Sequence, residues 1–92
     1  MALQARLTIS GRVQGVGFRD WLINSALALG LTGWVRNLAS GDVEILVQGP
    51  EEAIDAFVRR CWEGPPRAEV ENIVVEEADE VPATAFTVRG RD

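Results

Sequence analysis

Arg6-Leu7-Thr8-Ile9-Ser10-Gly11-Arg12-Val13-Gln14-Gly15-Val16-Gly17-Phe18-Arg19 runs from an alternating stretch, through a turn on two glycines, into the start of a helix. Leu7, Ile9, Gly11 and Val13 share one face and Arg6, Thr8, Ser10 and Arg12 the other, the period of a strand buried on one side. After the turn, Phe18, Leu22, Ala26 and Leu29 recur at helical spacing. Asp20 lies in the first turn and Gly30 at the C-terminal cap, which predicts a helix of about three turns.

Outward from that unit the pattern continues. A second strand runs from Gly33 through Trp34-Val35-Arg36-Asn37-Leu38, Ser40-Gly41 turns the chain, and Val43, Ile45 and Val47 alternate in a third strand, so the pair reads as a hairpin. Gly49-Pro50-Glu51-Glu52 opens a second helix with Pro and acids where a helix start favours them, and Ile54, Phe57, Val58 and Cys61 form its apolar stripe. Gly64-Pro65-Pro66 ends it. A fourth strand starts at Ala68, where Val70 followed by Ile73 and Val75 breaks the alternation and predicts a bulge. An acidic loop covers residues 76–82 and Phe86-Thr87-Val88 is a short last strand. The order β-α-β-β-α-β predicts an α+β, ferredoxin-like two-layer sandwich, an antiparallel sheet with both helices on one face. Residues 1–92 are expected to form one domain, without repeats or linkers.

Composition removes many functions. Of 92 residues, 47% are hydrophobic and 25% charged, the balance of a folded globule. His is absent, Tyr is absent, and all nine basic residues are Arg. Triads built on His, Schiff-base lysines, His metal ligands and a Gly-Lys phosphate loop are therefore excluded. One cysteine allows no internal disulfide. The start lacks the apolar run of a signal peptide and no stretch reads as a membrane span, so a cytoplasmic location is expected.

The net charge of −5 argues against nucleic acid or an anionic membrane as partner. It is unevenly spread. Residues 1–40 carry four arginines against Asp20, a balance of +3; residues 41–92 carry five against thirteen acids, a balance of −8. The first half suits a small anion.

That half also holds the candidate chemistry. Glycines let the loop of residues 14–17 turn its N–H groups towards one ligand, with a helix N-terminus behind them. Arg19 stands at the rim, and its planar fork suits two phosphate oxygens at once. The dinucleotide fingerprint fails, because Asp20 stands where a third glycine belongs. Taken alone, the segment reads either as an anion cradle or as a plain tight turn capping a helix. Asn37 shares a strand face with Val35, where an amide needs a hydrogen-bonding reason. It either meets a phosphate and a water or satisfies the turn after the strand.

Together these segments resemble the acylphosphatases, small ferredoxin-like hydrolases of acyl phosphates. The likeness covers nearly the whole chain: Gly11-Arg12-Val13-Gln14-Gly15-Val16-Gly17-Phe18-Arg19, Gly30-Leu31-Thr32-Gly33-Trp34-Val35-Arg36-Asn37-Leu38, Val43-Glu44, Gly49-Pro50, Gly64-Pro65-Pro66 and Phe86-Thr87-Val88, at fitting spacings. The resemblance implies that Arg19 is the phosphate-binding catalytic arginine and Asn37 the water-orienting asparagine. It implies that Gln14, Gly15, Val16, Gly17, Phe18 and Arg19 form the phosphate cradle. The expected enzyme releases a carboxylate and inorganic phosphate, uses no metal or organic cofactor, and is inhibited competitively by phosphate. It is expected to be a free-standing monomer without nucleic-acid or membrane partners. Asp20 after the arginine and Ser40-Gly41 in the hairpin depart from the family pattern. An acid at position 20 pairs with Arg19, weakens anion binding, or points away and serves the helix dipole. The alternative to an enzyme is a non-catalytic anion-binding or regulatory ferredoxin-like module.

Other features read as structure. Cys61 on the helix stripe is expected to be a buried, unreactive thiol. Glu69, Glu71, Glu76, Glu77, Asp79 and Glu80 read as a solvated strand edge and loop. Trp34 and Trp62 are placed near surfaces and Trp21 is expected to be partly packed.

Overall fold

A computed structural model of the chain describes residues 3–90. Its elements are β1 (Leu3–Arg12), α1 (Phe18–Ala28), β2 (Thr32–Asn37), β3 (Val43–Gly49), α2 (Glu51–Glu63), β4 (Glu69–Glu77) and β5 (Phe86–Val88). The strands form a five-stranded sheet in the order β4-β1-β3-β2-β5. The first four pair antiparallel in the expected ferredoxin-like order.

β5 departs from the antiparallel expectation: it adds to the outer edge of β2 in parallel, Gly33 opposite Phe86. The cause is topological. β4 ends opposite Ala5, and β5 begins opposite Gly33, at the same end of the sheet. Residues 78–85 cross from one edge to the other and the chain then reverses, so a strand antiparallel to β4 lies parallel to β2.

The two hydrophobic periods meet in one core. Ala5, Leu7 and Ile9 of β1, Val35 of β2 and Val43, Ile45 and Val47 of β3 face Phe18, Leu22 and Ala26 of α1 and Ile54, Phe57 and Cys61 of α2. Fully burying an aliphatic or Phe side chain contributes about 1.5–3 kcal/mol, so this face carries the larger share of the fold's stability. β1 begins at Leu3, earlier than the alternation from Arg6 suggests, because buried Ala5 extends the core face. The bulge lies where β4 predicts it: Ser10 faces Asn72 and Gly11 faces Val70, leaving Glu71 as the extra residue.

Trp34 is only 4% exposed, which corrects its expected place near a surface. It lies on the sheet face away from the helices. There Glu80 Oε1 accepts a hydrogen bond from Trp34 Nε1, 3.3 Å, and Arg89 stacks 4.1 Å from the ring centroid. Glu80 is therefore no solvated loop acid; it also accepts from Arg6 Nη2, 2.5 Å. Trp62 is exposed and Trp21 stacks on Phe18 at 5.9 Å, as the sequence predicts. Among the described residues no helix is long and apolar enough to cross a membrane.

The topology places the site. Ile9, Val43 and Asn37 stand in one row across β1, β3 and β2. The loop that leaves β1 and the end of β2 therefore share one end of the sheet.

Candidate active site

The loop of residues 14–17 is held at both ends by buried side chains, Val13 and Phe18, each 1% exposed. Between them Gly15 and Gly17 are exposed and adopt φ of 73° and 76°. A Cβ at either would meet nothing within 4 Å, so conformation and not crowding demands glycine there. Left-handed backbone costs an L-residue roughly 1–2 kcal/mol.

Gly17 caps α1, and among the described residues no side-chain hydrogen bond caps the helix start. The first backbone bond into the helix is Trp21 N–H to Gly17 O, 3.1 Å. The N–H groups of Phe18, Arg19 and Asp20 precede it, donors that a helix start leaves over. With the macrodipole they favour an anion.

Arg19 is exposed in this first turn. The ion pairs among the described residues join Arg6 and Arg36 to Glu44 and Glu80; none involves Arg19 or its neighbour Asp20. Pairing of Asp20 with Arg19, one of the readings of that departure, is therefore not what the structure shows, and the guanidinium forms no ion pair among the described residues.

Asn37 ends β2 and lines the same cavity of about 110 Å³ as Gln14, Gly15, Gly17, Arg19 and Asp20. Its Oδ1 is buried and has no hydrogen-bond partner among the described residues. The hairpin turn does not use it: Leu38 O accepts from Gly41 N–H, and Leu38 N–H donates to Asp42 O. A buried unpartnered acceptor costs about 1–3 kcal/mol and calls for a reason.

The structure thus brings Gln14, Gly15, Gly17, Phe18, Arg19 and Asn37 to one cavity. Val16 is half-buried and packs against the core, so its contribution is to the backbone of the loop. Gln14, expected in the cradle, also makes side-chain bonds that sequence reasoning missed. Its Nε2 donates to Leu38 O and to Asp42 O, both at 2.9 Å, so the amide nitrogen ties the cradle to the hairpin beside Asn37. The signal was a long amide side chain at the start of a loop whose ligand contacts need only backbone.

Charge separates this cavity from a larger one of about 490 Å³ beneath residues 78–85, which Glu77, Asp79 and Glu80 line and which repels anions.

Cys61 is buried in the core and desolvation pushes its thiol well above the usual range, as expected of an unreactive cysteine.

The comparisons agree with this geometry. A family model described as Acylphosphatase matches residues 5–88. A protein named acylphosphatase from Pelotomaculum thermopropionicum is 50% identical over 76 residues, 83% of this chain and 83% of that one. A solved acylphosphatase from Coxiella burnetii superposes with a TM-score of 0.91 at 42% identity, over 96% of this chain and 93% of that one. The crystal structure of acylphosphatase from Bacillus subtilis gives 0.90 at 40%, over 97% and 99%. With a family model matching residues 5–88, and its fold and most of its length in common with these proteins, the chain belongs to the acylphosphatase family.

Proposed function

We propose that this hydrolase of acyl phosphates holds the phosphoryl group between the N–H groups of residues 14–19 and the Arg19 guanidinium, while Asn37 Oδ1 accepts a hydrogen bond from the attacking water. The oxygen of the water attacks phosphorus in line with the acyl oxygen. The P–O bond to the acyl group breaks and the carboxylate leaves with the electron pair. One water proton stays on the attacking oxygen and the other passes to a phosphoryl oxygen, so the products are a carboxylate and dihydrogen phosphate. A carboxylate of ordinary pKa, about 4, is already a stable anion at neutral pH, so its departure needs no general acid. What remains for the protein is charge stabilisation and positioning, which suits a site without His.

The observation that carries this reading is that Arg19, which forms no ion pair among the described residues, and Asn37, whose buried Oδ1 has no partner among them, line one cavity. It also weighs against a module that merely binds anions. A carbonyl oxygen cannot donate to phosphate; it serves a donor, and water is the donor the reaction requires. In this reading the enzyme works as a monomer in the cytoplasm, and inorganic phosphate inhibits by taking the place of the substrate.

Benzoyl phosphate is the direct substrate for a test. The purified chain is expected to hydrolyse it, with inorganic phosphate raising KM and leaving kcat unchanged. No turnover by a folded chain, or inhibition that lowers kcat alone, contradicts the reading.

A further inference from the structure

In the reading above, the loop and Arg19 hold the phosphoryl group in the cradle and the acyl part extends beyond it. A second cavity, of about 380 Å³, opens across the loop, where Gly15 and Val16 face Arg12, Pro66, Arg67 and Glu69. Gly15 lines both cavities, and a Cβ there would meet nothing within 4 Å. The ridge between them therefore carries no side chain at its crest, and a substrate can lie across it.

The chemistry of the second cavity is cationic. Arg12 ends β1 and Arg67 stands in the connection from α2 to β4; both are exposed, and neither forms an ion pair among the described residues. Pro66 fixes one backbone angle beside Arg67, and Ala68 N–H donates to Pro65 O at 3.0 Å, so a closed turn presents the guanidinium. Glu69 is the opposing carboxylate. It faces Arg12 in the strand register without pairing to it, which leaves two cations against one anion.

We propose that Arg12 and Arg67 form a second anion subsite, which selects acyl phosphates whose acyl part carries a further carboxylate or phosphate over those whose acyl part is neutral. The inference rests on the catalytic reading above. Guanidinium forks suit either oxyanion, and both offer a charge-assisted contact that a neutral acyl chain lacks.

The test compares kcat/KM for benzoyl phosphate with that for 3- and 4-carboxybenzoyl phosphate, which differ from it by one anion. The intact chain is expected to favour at least one carboxylated isomer by about tenfold at low salt, the scale of one charge-assisted contact, with the preference shrinking as salt is added. The double substitution Arg12→Ala, Arg67→Ala is expected to remove that preference while leaving benzoyl phosphate hydrolysis within about twofold. Glu69→Gln is expected to enlarge it. A preference that survives the double substitution, or none in the intact chain, overturns the subsite. If benzoyl phosphate itself is not turned over, the catalytic reading fails, and calorimetry still decides the subsite. Tighter binding of 4-carboxybenzylphosphonate than of benzylphosphonate, lost in the double variant, supports it; equal binding of the two overturns it.

Discussion

Asp20 directly follows Arg19 and lines the same cavity, yet forms no ion pair with it. Two opposing effects meet in this carboxylate. In the first turn of α1 it stabilises the helix by about 0.3–1 kcal/mol, and beside the cradle it repels the incoming anion. Asp20→Asn is therefore expected to cost a few tenths of a kcal/mol in a urea melt and to leave kcat/KM for benzoyl phosphate equal or higher. A large fall in a folded variant would show that Asp20 acts in the reaction. Cys61 sits in the opposite situation. Its thiol is buried among apolar side chains and held protonated by desolvation. Cys61→Ala is expected to keep kcat and lose about 1 kcal/mol of stability. Loss of turnover with the fold intact would point to thiol chemistry.

Among the elements, the brace between the cradle loop and the β2–β3 hairpin has the most direct consequence. Gln14 donates to Leu38 O and Asp42 O, which already accept bonds from Gly41 N–H and Leu38 N–H respectively. Removing the amide therefore strands no carbonyl, and Gln14→Ala is expected to cost only about 1 kcal/mol of stability. Its effect on catalysis should be larger, because Asn37 sits beside the hairpin that Gln14 holds. The expectation is a kcat lowered by about tenfold or more with phosphate affinity nearly kept. Equal losses of kcat and phosphate affinity would place Gln14 in the anion contact itself. This brace also marks how far sequence could be read. The strands and helices were legible because alternation from Leu7 to Val13 and the helical spacing of Phe18, Leu22 and Ala26 are local patterns. Arg19 and Asn37, which line one cavity, could be singled out because their surrounding motifs are distinctive. The bonds of Gln14 join residues 24 and 28 positions apart, and no local pattern encodes them.

At the scale of the whole molecule, residues 78–85 bind the outer face of the sheet. Gln4 Oε1 accepts from Glu80 N–H, Gln48 Oε1 from Ala83 N–H, and Glu80 spans Arg6 of β1 and Trp34 of β2. The sequence hid this strap, since glutamines and an acidic loop read as solvent-facing until the chain crosses the sheet and covers Trp34. The hydrogen bond from Arg6 holds the Glu80 carboxyl below the ordinary carboxylate range. A group lowered on folding stabilises the fold above its unfolded pKa, about 4.3, and loses that contribution as pH falls through its folded value. Glu80→Gln is thus expected to lower Tm at pH 7, and the gap to the original chain should close as pH falls below 4. A gap that does not narrow at all on acidification would assign the strap to packing alone. The roles assigned to Arg19 and Asn37 are tested most directly by measuring kcat on benzoyl phosphate and Kd for inorganic phosphate side by side in Arg19→Ala and Asn37→Ala. The expected result is a division. Arg19→Ala loses both turnover and phosphate binding, and Asn37→Ala loses about 2.7–4 kcal/mol of catalysis, taken from the loss of one preorganised polar group, while still binding phosphate. A folded Asn37→Ala variant that turns over at saturation but no longer binds phosphate would contradict it.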